Sequence, residues 1–184
     1  MLRLFDWTTV REGVGVDAVE AFNTLPADRL AGDLLACLAA PEWGARILAG
    51  RPYEKRVEIV AMADAAARAL TWSQVALGLS AHPRIGQRAQ GASQEAAWSR
   101  REQSAATRSG DDATKEALVR ANREYEQRFG HVFLIFASGR SQEQILAAAR
   151  ERLANDDETE RAIVADELRR IALLRLERLL DALG

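Results

Sequence analysis

HVFLIFA, residues 131–137, is the stretch on which the fold class turns, because no other run of the chain has the look of a strand. Its seven residues have no partner elsewhere in the sequence, and a single strand cannot make a sheet. The segment is therefore expected as a buried extended or helical connection inside an all-α bundle. Just before it, ATKEALVRANREYEQRF reads as a helix that stops ahead of Gly130, a natural C-cap. Just after it, Ser141 and Gln144 form a capping box that opens the helix SQEQILAAARERLAN. The last helix is expected from about Asp157 to Leu183, long enough at ~1.5 Å per residue to cross the domain.

Toward the N-terminus the same helical period continues, broken by Pro, Gly and polar clusters. PADRLAGDLLACLAA places Leu30, Leu34, Leu35 and Leu38 on one face, with Pro26 suited to the first turn and Pro41 as the stop. PEWGARILAGRP reads as a short turn leading into YEKRVEIVAMADAAARAL, whose stripe is expected at Val57, Val60, Ala61, Asp64 and Ala67. Thr71 or Ser73 starts TWSQVALGLSAH. HPRIGQRAQGAS is rich in Gly and Pro and reads as a loop, followed by a polar helix QEAAWSRREQSAAT and a second loop at RSGDD. No internal repeat or low-complexity linker interrupts residues 1–184, so one single-domain helical bundle is expected.

Composition narrows the function classes. At 184 residues, with 48% hydrophobic and 28% charged residues, the chain can close around one core, which argues against intrinsic disorder. Lys+Arg 25 against Asp+Glu 27 leaves a net charge of -2, so bulk charge steers it toward neither nucleic acid nor an anionic membrane. One cysteine, Cys37, and two histidines, His82 and His131, cannot build a Cys/His zinc cluster, and no intrachain disulfide is possible. No metal site is expected. Lys55 and Lys115, the only lysines, sit in charged helical stretches and make poor Schiff-base candidates. MLRLFDWTTVREG lacks a long apolar core, and no run approaches the ~18 apolar residues of a membrane span. A cytoplasmic location is the expectation.

The candidate site residues come from loops and from charge in the wrong place. His82 is held at a helix end beside Pro83, which fixes the backbone; the alternative is a histidine that serves only the helix dipole. Ser99 and Glu102, at i, i+3, share a helix face, with Gln103 beside them, although neighbouring Arg100 and Arg101 suit a solvated helix equally. On the last helix the apolar seam Val164, Leu168, Ala172, Leu179 includes Arg175 at the next step after Ala172. A guanidinium pointing inward either meets a buried carboxylate or anchors an anionic or urea-like ligand, and the sequence leaves both open. Arg169, Arg170 and Arg178 fall toward the polar face and are expected to be solvated, and His131 to be a packed histidine.

Taken in order, FNTLP, RPY, SAHPRIG, SRREQSAA, NREYEQRFGHVFLIFASGRS, RLAN and ELRRIALLRL resemble the 2-oxo-4-hydroxy-4-carboxy-5-ureidoimidazoline (OHCU) decarboxylases of urate degradation. The resemblance covers nearly the whole chain. It implies an all-helical homodimer that decarboxylates OHCU to (S)-allantoin without a cofactor. His82 and Pro83 match the family's His-Pro. Ser99, Glu102 and Gln103 match its Ser-x-x-Glu-Gln, seventeen, twenty and twenty-one residues after His82, and Arg175 matches the arginine of its Leu-Arg-Leu. The main chain of Phe133, Leu134, Ile135, Phe136 and Ala137 is implied to line the pocket and bind the substrate ring. This chain departs from some members at Arg84-Ile85, where they read Asp-Leu, and at His131-Val132-Phe133, where they read Phe-Pro-Phe.

The implied chemistry suits a protein without a cofactor, because the ring itself takes up the electron pair released with CO2. The protein must orient the substrate, stabilise the developing charge and deliver a proton to one face. The resemblance implies acid/base work by His82 at the 4-hydroxyl and carboxylate end. Glu102 would hold ring and ureido N–H groups or relay the proton, Arg175 would anchor oxygen, and Ser99 and Gln103 would position. The sequence does not decide which of His82 and Glu102 delivers the proton. Two rivals are a helical binding module, which leaves these separations unexplained, and a metal-dependent hydrolase, which lacks a His-rich ligand set.

Overall fold

The computed structural model describes residues 18–82, 84 and 112–184, all helix and connections with no strand among them. The helices are α1 (residues 18–24), α2 (Ala27–Cys37), α3 (Pro41–Ala49), α4 (Arg56–Arg68), α5 (Trp72–Ser80), α6 (Asp112–Phe129), α7 (Gln142–Arg152) and α8 (Asp157–Leu183). Local sequence accounts for several of the boundaries. Gly130 ends α6 at φ 73°, a left-handed conformation that costs glycine no Cβ clash. Ser141 opens α7 as expected: its amide donates to Gln144 Oε1 at 2.9 Å and its Oγ accepts from the Gln144 amide at 3.3 Å. Asp156 caps α8 by accepting from the Thr159 amide at 2.7 Å. The Thr71 amide donates to Gln74 Oε1 at 2.9 Å at the start of α5.

Several sequence expectations for the N-terminal half are corrected. PEWGARILA is the helix α3 and not a turn, with Pro41 at its first position, where a missing N–H costs nothing. Pro41 therefore begins a helix, and α2 has already ended at Cys37. In α4 the buried face is Ile59, Ala63, Ala66 and Ala67, while Val57 is 66% exposed. Alanines on every side of this helix blur its phase; the buried Trp43 indole, donating to the Ala63 carbonyl at 2.9 Å, marks the face turned to α3. On α2, Leu30, Leu34 and the C-cap Leu38 are buried and Leu35 is not.

Helix α8 is the axis of the larger core: α2, α4 and α5 pack on it and α3 bridges α2 and α4. A smaller core lies between α6 and α7. Residues 131–137 join the two. Phe133, Ile135 and Ala137 belong to the smaller core, whereas Leu134 belongs to the larger one and Val132 and Phe136 pack against it. That strict alternation is the period of extended chain, so the segment is a wedge with each face in a different core. Of the two states expected for this buried connection, extended or helical, it is the extended one.

FNTLP and RPY are one clasp. Arg51 Nη1 donates to the carbonyls of Phe22, Asn23 and Leu25 at 3.1, 3.3 and 2.8 Å, closing the end of α1. The Asn23 side chain pairs with the Tyr53 main chain in both directions, at 2.8 and 3.0 Å. Arg169, expected to be solvated, instead ion-pairs with Asp64 on α4 and with Asp166 at 2.7 Å, so it ties α4 to α8.

Candidate active site

The imidazole of His82 lies just past the C-terminus of α5 and is 8% exposed. Gly78 lies where α5 meets α2 and α8: a Cβ there would stand 2.9 Å from Leu38 Cδ1 and 3.2 Å from Leu168 Cδ2, so a larger residue would have to push these two side chains aside. The Gly78 carbonyl then lies 3.0 Å from His82 Nδ1. A carbonyl only accepts, so Nδ1 carries the hydrogen and the lone pair of the neutral ring sits on Nε2. Nε2 is buried and has no hydrogen-bond partner among the described residues. Burial, reinforced by the charge of Arg175, lowers the imidazole pKa to about 4, with the Gly78 bond opposing. The ring is thus a neutral base at physiological pH.

Arg175 is 1% exposed, on the seam of α8 where the spacing predicts it. Its Nη1 donates a long 3.5 Å bond to the carbonyl of Cys37, the last residue of α2, and a helix C-terminus favours a cation. The ends of α2 and α5 therefore converge on α8, bringing His82 and Arg175 close enough for one charge to act on the other. Of the other expected site residues, Phe133, Leu134, Ile135 and Ala137 are buried in the wedge and Phe136 is partly so. Pro83, Ser99, Glu102 and Gln103 lie outside the described residues, as do residues 85–111, on which a loop and a polar helix are expected.

A second buried polar cluster escaped the sequence reading. Glu160 is 0% exposed and accepts from Arg152 Nε at 2.8 Å and Nη2 at 2.5 Å, from Asn155 Nδ2 at 2.8 Å, and from the Tyr125 hydroxyl. Burial pushes this carboxyl up, yet the hydrogen bonds from Arg152, Tyr125 and Asn155 outweigh it and hold the pKa below the usual range. Burial and the bond to Glu160 raise the pKa of the Tyr125 hydroxyl. Arg152 Nη1 also donates to the Leu134 carbonyl at 2.7 Å, and its guanidinium lies 4.7 Å from the Phe133 ring centre. Glu160 stands four residues before Val164, so the seam that singles out Arg175 would have found it had it been followed one turn further back. His131 is packed as expected, with the rings of Trp72 at 5.4 Å and Tyr125 at 5.5 Å.

Comparison with known proteins places this arrangement. The model of the OHCU decarboxylase family matches residues 23–177. A 2-oxo-4-hydroxy-4-carboxy-5-ureidoimidazoline decarboxylase of Amia calva is 38% identical over 60 residues, which cover 33% of this chain and 34% of that protein. A uric acid degradation bifunctional protein of Arabidopsis thaliana is 36% identical over 103 residues, 54% of this chain and 32% of that one. The matches thus span about a third of these curated relatives. Among solved structures, a crystal structure of OHCU decarboxylase in the presence of (S)-allantoin superposes with a TM-score of 0.69 and 26% identity, covering 79% of this chain and 95% of that one. An (S)-allantoin synthase structure shares the fold at a TM-score of 0.64 and 20% identity, over 88% of this chain and 53% of that one.

Proposed function

Because the chain belongs to the OHCU decarboxylase family, we propose that it is a carboxy-lyase that converts 2-oxo-4-hydroxy-4-carboxy-5-ureidoimidazoline to (S)-allantoin in urate degradation, without a cofactor or metal. The observation that carries the reading for this chain is the His82 imidazole: neutral, fixed through Nδ1, with a buried Nε2 lone pair beside the Arg175 charge. In the proposed reaction the C4–carboxylate bond breaks, CO2 leaves, and the electron pair enters the ring toward its imine nitrogen, which takes up one proton from solvent. His82 Nε2 takes the proton of the 4-hydroxyl, which becomes the carbonyl of the product. Its low pKa makes the resulting imidazolium a strong acid, suited to passing the proton on toward the product carbon.

The remaining roles are assigned by resemblance. Glu102 holds ring and ureido N–H groups or relays the proton, Ser99 and Gln103 are positioning donors, Pro83 fixes the approach of His82, and Arg175 anchors anionic or carbonyl oxygen. Main-chain groups of residues 133–137 bind the ring. A homodimer and a cytoplasmic location are further parts of the proposal; no described helix is long and apolar enough to cross a membrane. Since side chains of one wedge enter both cores, the chain is proposed to act as one domain.

The test is to generate OHCU from urate in situ and follow the optical activity of the allantoin formed, after dialysis of the protein against a chelator. A single enantiomer, formed faster than without protein, is expected. Racemic allantoin at the uncatalysed rate from folded protein would sink the assignment, and activity restored only by metal would sink the metal-free chemistry.

A further inference from the structure

Among the described residues, side chains hold the wedge along one of its two main-chain edges. In extended chain, consecutive residues turn their N–H and C=O groups to opposite sides, so Leu134 and Phe136 share an edge while Phe133, Ile135 and Ala137 share the other. The first edge is occupied by two side chains: Arg152 of α7 donates to the Leu134 carbonyl at 2.7 Å, and Glu167 of α8 accepts from the Phe136 amide at 2.6 Å. On the second edge, the N–H and C=O groups of Phe133 and Ile135 make no hydrogen bond with any described residue, and the Ala137 carbonyl takes the Arg140 amide in a turn.

Glu167 is otherwise hard to explain. It is 8% exposed, and among the described residues its other carboxylate oxygen meets only the long 3.5 Å contact with Arg170 at the surface. A buried carboxylate is costly, and an apolar side chain would fill the same space beside Leu168 more favourably. Its short bond ties the Phe136 amide, and with it one edge of the wedge, to α8. The carboxylate stands on the buried side of the same helix that carries Arg175, so α8 relates the wedge to the His82–Arg175 pair.

We propose that Glu167 is a positioning residue for the substrate ring: by holding the Phe136 amide, with Arg152 on the Leu134 carbonyl, it turns the Phe133, Ile135 and Ala137 edge toward the ring. This rests on the decarboxylase reading above. Glu167 touches no reacting atom, so its loss weakens binding and leaves the proton chemistry of His82 intact.

The experiment compares wild type, Glu167→Ala, the better-filling Glu167→Met, and Glu167→Gln, which keeps a neutral acceptor. For Glu167→Ala and Glu167→Met, KM for OHCU should rise about tenfold, with kcat within about threefold, and Glu167→Gln should restore most of KM. Amide exchange at Phe133, Ile135 and Ala137 should quicken in the first two variants and recover in the third. A KM unchanged in a folded Glu167→Ala, a loss confined to kcat, or no recovery with Gln overturns the proposal. So does failure of both apolar variants to fold, which would make the residue structural. If wild type does not act on OHCU, the functional reading fails, and the exchange pattern still decides whether Glu167 holds the wedge.

Discussion

Two of the sets of ionisable groups buried among the described residues are treated oppositely. Around Glu160, Arg152, Asn155 and Tyr125 supply a partner for both carboxylate oxygens, and the arginine also holds the Leu134 carbonyl. At His82, one ring nitrogen is fixed by the Gly78 carbonyl and the other is left without a partner among the described residues. A saturated buried network locks α6, α7, the wedge and α8 together, and its charges balance. An unsatisfied buried imidazole contributes nothing to such locking and costs desolvation. The difference separates a structural centre from a chemical one within a single helical frame.

Removing one partner from the saturated set should produce the largest effect. Arg152→Met strands the Glu160 carboxylate, and a loss of about 3–5 kcal/mol in denaturant unfolding is expected. An unchanged midpoint would mean that the network is not structural.

The unsatisfied histidine sharpens the comparison through pH. Its folded pKa, about 4, lies below the ordinary 6.5, so between those values the unfolded chain binds the extra proton. Above pH 6.5 His82 adds no pH dependence to stability; as pH falls to 4 the folded state should lose about 3 kcal/mol relative to His82→Gln, then no more. Parallel pH–stability curves for the two proteins would show that the imidazole is not held neutral.

Chemistry should separate the regions next. His82→Ala and Glu102→Ala should each lower turnover of OHCU by roughly 10²-fold or more with little change in melting temperature. Near-full activity in either folded variant removes that residue from the mechanism.

Gly78→Ala tests the packing that seats His82. Its Cβ would press on Leu38 and Leu168, and a loss of about 1–3 kcal/mol is expected, measured by thermal melting. The smallest effect is on the coupling. Arg175→Met removes one of two causes depressing the His82 pKa, so titration of the ring by NMR should move upward from about 4 while staying below 6.5. No movement would show that the two side chains do not sense each other.

What could be read from residues was whatever local chemistry dictates. Capping at Ser141, the stop at Gly130, the span of α8 and the inward turn of Arg175 all follow from neighbours within a few positions. Even the fate of HVFLIFA was legible, since a strand without a partner has to be buried in some other way. The phase of α4 was not, because alanine is indifferent to which side faces in. Nor was the helical state of residues 41–49, because the stretch PEWGARILAGRP, with two prolines and two glycines, obscures a first-turn proline.

Sequence alone thus determined an all-α chain whose ordered motifs match one family. The tertiary structure decided which charges meet. Arg152, Glu160 and Tyr125 come from three helices, Glu167 reaches an amide 31 residues away, and His82 acquires its neutral state from packing of α2, α5 and α8. Hydrogen bonds between distant residues and the burial that shifts a pKa are properties of the assembled core, and spacing along a chain carries no direct record of them.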